Sequence, residues 1–136
     1  MVFVFGSNEA GIHGAGAAKE AVRKYGALYG KGAGFSGNSY AIPTKDRNID
    51  SLSIPEISHY VQEFIKFANL SLTMKFKVTA VGCGLAGFTN AQMAPLFSAA
   101  PLNCWFDTAW EPYLGKKFHY WGTFGEATMF TRRGGK

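Results

Sequence analysis

The segment Val81-Gly82-Cys83-Gly84-Leu85-Ala86-Gly87-Phe88 constrains the fold most, because it ties an apolar run, Phe76 to Val81, to a helix start at Thr89. Three glycines between a strand and a helix let backbone N–H groups converge on an anion, most simply a phosphate. Thr89 with Gln92 three residues on spells a capping box. Met93, Ala94, Leu96 and Phe97 then supply the apolar stripe of a helix over 90–98.

The same strand, loop and helix pattern recurs along the chain. Val2 to Phe5 reads as a buried strand that ends at Gly6-Ser7-Asn8. A helix follows from Gly14 or Gly16 to Tyr25, with Ala17, Ala18, Ala21, Val22 and Tyr25 on one face and Gly26 as its stop. Residues 26–37 read as a glycine-rich irregular connection, and Ser39 to Ile42 as a short strand ending at Pro43. Ser53-Ile54-Pro55-Glu56 is a second capping box, and Ile54, Ile57, Val61, Phe64, Ile65 and Ala68 sustain a helical period behind it. Leu102 to Phe106 reads as a closing strand. Alternation of this kind predicts an α/β fold with a mixed, mostly parallel sheet covered by helices, and ligands bound at the carboxyl ends of the strands. Loops 8–16, 44–47 and 82–88 all fall at those ends and are expected to form one cleft.

Composition narrows the class. The 136 residues, 47% of them apolar, are read as one domain over 1–136. Two cysteines, Cys83 and Cys104, without CxxC or Cys/His spacing predict reduced thiols, no metal site and no cofactor. The N-terminus lacks a basic and a long apolar region, and nowhere do eighteen apolar residues run together. That predicts a cytoplasmic protein with no membrane partner. The net charge of +5 is scattered, with a cluster only at Arg132, Arg133 and Lys136, which suits anionic small ligands. Charge and aromatic content also motivate a nucleic-acid-binding reading, although no RNA or DNA motif accompanies them.

Three motifs in register resemble a known family. Gly14-Ala15-Gly16-Ala17-Ala18 leads into a helix ending Lys24-Tyr25-Gly26. Tyr40-Ala41-Ile42-Pro43-Thr44-Lys45 follows, and then Gly82-Cys83-Gly84-Leu85. In order and spacing these resemble macrodomains that bind ADP-ribose, closest to the terminal ADP-ribose protein glycohydrolase-like branch, over about residues 2–106. The resemblance implies a three-layer α/β/α fold, here without the usual first strand and with an aromatic-rich extension over 107–136.

It also implies roles by position. Asn8 and the loop carrying His13, Gly14, Ala15 and Gly16 would border the distal ribose and diphosphate. Gly82, Cys83, Gly84, Leu85, Ala86, Gly87 and Phe88 would wrap the diphosphate, with Thr44 beside them. Lys45 would be the nucleophile at the sugar's anomeric carbon. That attack needs an unprotonated amine, which burial or a cationic neighbour such as Arg47 favours. Where the branch carries an acid after Gly-Cys-Gly-Leu, this chain carries Ala86, so Asp46 or Asp50 is the substitute acid. No acid precedes Asn8 to hold an adenine, which leaves Phe35, Phe88, Tyr113, Trp121 or Phe124 to stack on it.

Two activities follow from the resemblance. One is hydrolysis of ADP-ribose from a protein or nucleic-acid acceptor such as DNA. The other is capture of ADP-ribose or a cyclic derivative without turnover, a sequestering role that suits a bacterial or phage protein acting against a host nucleotide signal. Ala86 favours capture, and a carboxylate reaching the same space would restore catalysis. The structural alternatives at the same positions are a glycine turn used only for its φ, a solvated Lys45 beside Asp46, a turn-forming His13 and a Cys83 that only packs.

Overall fold

The computed structural model describes residues 1–124. The basic end at Arg132, Arg133 and Lys136 lies outside the described residues. Six strands form one sheet in the order β2-β3-β1-β4-β5-β6, and every pairing is parallel except β2 with β3. The strands are β1 (Val2–Asn8), β2 (Gly34–Ser36), β3 (Ser39–Lys45), β4 (Phe76–Val78), β5 (Cys104–Asp107) and β6 (His119–Gly122). The helices are α1 (Gly16–Tyr25), α2 (Ile54–Asn69), α3 (Asn90–Met93) and α4 (Glu111–Leu114). The sheet is thus mixed and mostly parallel, within a three-layer α/β/α arrangement.

The central strand explains the layers. Successive side chains of a strand point to opposite faces, so Val2 and Val4 go one way and Phe3 and Phe5 the other. The valines join the larger core with Ile42, Val61, Phe64, Phe76, Phe106 and Trp110, under α2. The two phenylalanines join Ala18, Ala21 and Ala41 under α1. The alanines of α1 let that helix sit close to the sheet, although Val22, expected on its packing face, is exposed. From β1 the chain moves to β3 on one side, then crosses back over β1 to β4 on the other. The order therefore reverses at β1, and a crevice opens at the carboxyl ends there.

Both capping boxes form. At α2 the Ser53 hydroxyl accepts from the Glu56 N–H at 3.3 Å, and the Glu56 carboxylate accepts from the Ser53 N–H at 2.9 Å. Ser53→Ala removes a cap on the helix that carries Ile57, Val61, Phe64 and Ala68 into the core. It is expected to lower stability by about 1 kcal/mol in a urea titration, with an unchanged m-value.

Strands β1 and β3 run on to Asn8 and Lys45, past the expected ends at Phe5 and Pro43, and four further elements depart from the sequence reading. Strand β4 spans three residues rather than 76–81, because the chain turns at Val81 and Gly82. The helix expected over 90–98 is one α-turn, Asn90–Met93, followed by a 3-10 turn over Ala94–Phe97. Pro95 explains the change, since it has no N–H to continue the α ladder. The closing strand is Cys104–Asp107, two residues later than expected at its start. The irregular stretch 26–37 contains strand β2, which turns back through Gly37 at φ 57° onto β3.

Candidate functional site

A cleft of about 730 Å³ opens at the carboxyl ends of β1, β3, β4 and β5. Its floor is Gly6, Ser7 and Thr44, with β1 and the 82–87 loop in close approach. A Cβ on Gly6 would lie 3.3 Å from the Gly82 nitrogen. The Thr44 hydroxyl donates to the Ser7 carbonyl at 3.3 Å, and a register shift at Ser7 and Asn8 sets Asn8 opposite Lys45.

One wall is the loop from Asn8 to the start of α1. Asn8 is buried and uses both ends of its amide on Ile12: Oδ1 accepts from the Ile12 N–H at 2.9 Å, and Nδ2 donates to the Ile12 carbonyl at 2.8 Å. That local closure delivers Gly14, Ala15, Gly16, Ala17 and Ala18 to the cleft edge. The N-cap residue is Ala15, which has no side-chain oxygen to offer, so α1 begins uncapped. The first helical N–H groups have no intrahelical acceptor. Among the described residues, those of Gly16, Ala17 and Ala18 meet no other acceptor. They carry the positive end of a ten-residue helix dipole.

The facing wall is the glycine loop. Its turn closes through Cys83 N–H to the Ala80 carbonyl at 3.0 Å, Gly87 N–H to the Gly84 carbonyl at 3.0 Å and Phe88 N–H to the Gly82 carbonyl at 2.9 Å. The amides of Gly84, Leu85 and Ala86 are left without an acceptor among the described residues. Gly82 is required by the packing, because it sits at φ 81° and a Cβ there would lie 2.8 Å from the Met93 sulfur. At the helix behind the loop the capping box takes up two amides. The Gln92 N–H goes to the Thr89 hydroxyl, and the Thr89 N–H goes to the Gln92 side chain.

Of the residues expected at the site, Asn8, Gly14, Ala15, Gly16, Thr44, Lys45 and Gly82 to Ala86 line the cleft. His13, Asp46, Arg47, Gly87 and Phe88 do not. His13 is buried against Phe5 and Tyr29, with Nε2 2.9 Å from the Lys31 carbonyl, so it donates there and braces the first wall from behind. Asp46 serves its own loop, its Oδ1 accepting the N–H groups of Asn48 and Asp50 at 2.8 and 3.0 Å. Arg47 is exposed, and Phe88 packs against the larger core. Of the aromatics considered for an adenine, Phe124 lines the cleft, whereas Phe35, Tyr113 and Trp121 do not.

Sequence reasoning missed several lining residues, Ile49 and Asp107 among them. Ile49 rises from the Asp46 turn at φ 66°, a conformation that a β-branched side chain rarely adopts, and it meets the cleft. Asp107, at the carboxyl end of β5, is 3% exposed. Its Oδ1 accepts from the Ala109 N–H at 2.8 Å and from the Thr123 hydroxyl at 2.6 Å. The other oxygen has no hydrogen-bond partner among the described residues, and Asp107 is one of the residues lining the cleft. Among the described residues, Lys45 and Asp107 are the cleft's charged side chains, on opposite flanks of β1 and β4.

The two thiols are poor nucleophiles. Burial, with the negative Asp107 adding to it, pushes the Cys83 thiol up to about 11, and burial pushes Cys104 to about 12. At pH 8 a thiol of pKa about 11 is thiolate in about one molecule in a thousand. Native protein is therefore expected to resist iodoacetamide for hours at pH 8 and to take up two labels in denaturant, as read by intact mass.

Comparison with protein-family models, curated proteins and solved structures finds no match. The site's chemistry rests on its own geometry. Among the described residues no three His, Cys, Asp or Glu side chains gather to hold a metal ion, and no helix is long and apolar enough to cross a membrane.

Proposed function

We propose that this cleft binds an ADP-ribose-type nucleotide, as in macrodomains, with the diphosphate between the start of α1 and the glycine loop. One observation carries the reading: two runs of unpaired amides, Gly16–Ala18 and Gly84–Ala86, border a single cleft at the point where the strand order reverses. Amides held this way bind phosphate oxygens without reorganising, and the helix dipole adds to them. A volume of about 730 Å³ is within the usual range for small-molecule sites, roughly 300–1,000 Å³. Phe124 offers an aromatic edge to a base, and Lys45 a cation to a phosphate or sugar.

A second reading, hydrolysis of an ADP-ribosyl linkage, is favoured by Asp107. In this reading Asp107, at the end of β5, takes the part of the acid absent at position 86; its Oδ1 accepts two hydrogen bonds and it lines the same cleft. A carboxylate so held can accept a proton from a water directed at the anomeric carbon, while Lys45 supports the leaving side of the sugar.

The two readings separate in one experiment. The protein is incubated with an ADP-ribosylated peptide and an ADP-ribosylated oligonucleotide, and released ADP-ribose is followed by chromatography. If the protein hydrolyses, Lys45→Ala and Asp107→Asn are each expected to slow release about 100-fold or more while Kd for ADP-ribose changes only a few-fold. Binding without release leaves capture as the function, and equal loss of binding and release makes these two residues ligand contacts.

A further inference from the structure

The sheet has a second face to account for. Helix α1 covers β1 and β3, and none of the described helices covers the same face over β4, β5 and β6. Strand register places Phe3, Lys77, Trp105 and His119 in one cross-strand row on that face, with Trp121 two residues beyond His119. Phe3 is closed off by Tyr25, stacked at 4.4 Å, and by Phe124 at 5.9 Å. Of the rest of the row, Lys77, Trp105 and Trp121 are partly exposed and His119 is exposed.

These side chains form an alternating cationic and aromatic surface. The His119 ring stacks on Trp105 at 4.6 Å, Lys77 Nζ lies 4.6 Å from the Trp121 ring centre, and Lys75 Nζ lies 5.9 Å from that of Trp105. Trp121 is held by its Nε1–H, which donates to the Val78 carbonyl at 2.9 Å, so its ring is fixed rather than free to collapse. The acid of these three strands, Asp107, is turned to Ala109 and Thr123 at the cleft end. The face therefore offers flat rings and positive charge to an anionic partner that itself has flat rings.

We propose that this open half of the sheet is a docking platform for single-stranded nucleic acid, with bases stacked on Trp105, His119 and Trp121 and phosphates held by Lys75 and Lys77. An exposed cation over an indole is a weaker contact than a base stacked on it. An incoming base therefore displaces the lysine, and the freed ammonium moves to the adjacent phosphate. Single strands fit because their bases can splay onto a sheet, whereas a duplex buries the ring faces that stacking needs. The net charge of +5 adds a general attraction for such a polyanion. The platform lies on a sheet face, while the nucleotide cleft lies at the strand ends, so the two sites are independent.

The test is fluorescence anisotropy of the full chain with a labelled twelve-nucleotide pyrimidine strand, as DNA and as RNA, alongside tryptophan quenching. The expected result is binding that weakens on the order of tenfold between 50 and 200 mM salt and quenches tryptophan emission. Trp105→Ala with Trp121→Ala is expected to weaken binding at least tenfold. Should that variant misfold, Lys75→Glu with Lys77→Glu serves instead, with a comparable loss, and saturating ADP-ribose leaves the affinity unchanged. The proposal is overturned by absence of binding at 50 mM salt or by tighter binding to duplex than to single strand. Affinity that survives the lysine changes but is lost in Arg132→Ala with Arg133→Ala also overturns it, as does sedimentation showing that a second copy of the chain covers this face.

Discussion

Gly84→Glu is expected to abolish ADP-ribose binding and to leave the fold intact. A Cβ at Gly84 meets nothing within 4 Å, and its backbone lies outside the positive-φ region, so the chain accepts a side chain there. The new carboxylate then stands among the amides of Gly84, Leu85 and Ala86, where the reading puts a phosphate. Two like charges about 4 Å apart repel by about 1 kcal/mol in water and about 4 kcal/mol near a protein surface. With the amides also occupied, the expected loss is about 100-fold or more in Kd, read by calorimetry with a melting curve as the folding control. Gly84→Ala is the companion variant and is expected to hold Kd within a few-fold. Unchanged affinity in Gly84→Glu places the phosphate elsewhere.

The largest expected loss of stability comes from Trp110→Ala. Trp110 is fully buried, packs against Phe97 and Phe106 at ring separations of 5.2 and 6.0 Å, and donates its Nε1–H to the Asn90 side chain at 2.9 Å. Removing the indole leaves a cavity and an unmet acceptor, at a cost of about 3–5 kcal/mol. For a chain of this length that corresponds to a fall in Tm on the order of 10–20 °C. Asn90 lines the cleft, so the same substitution loosens the end nearest Asp107 and is expected to weaken ligand binding as well. A fall of only 2–3 °C would show that the core closes around the gap.

Much of the fold is readable from local chemistry. Ser53 with Glu56, Thr89 with Gln92, and Gly26 at φ 73° all act within one helical turn, so their signals survive any tertiary arrangement. Strand β2 has no such signal: three half-exposed residues in a glycine-rich stretch gain their pairing only from β3. Strand β6 pairs in parallel with β5 after a crossover that holds α4, a non-local contact that its own aromatic alternation does not specify.

The site divides in the same way. Lys45 and the glycine loops are visible because each follows an apolar run, and ligands of such sheets sit at strand ends. Asp107 is invisible as a cleft residue because β5 comes to lie beside β4 through strand pairing, not through neighbouring sequence. A carboxylate directly after the strand Cys104-Trp105-Phe106 was the available clue. Asp46 is the converse case. Its spacing to Asn48 and Asp50 is that of a turn in which the side chain accepts backbone N–H groups, and this use removes it from the cleft.

The central claim is that opposed amides of α1 and the glycine loop hold a nucleotide diphosphate. The most direct measurement is calorimetric titration of the full chain with ADP-ribose, with adenosine and ribose 5-phosphate as comparison ligands. One-to-one binding of ADP-ribose in the micromolar range, with both fragments at least 100-fold weaker, is the result predicted. Absence of heat up to millimolar ADP-ribose, or equal affinity for adenosine, contradicts it.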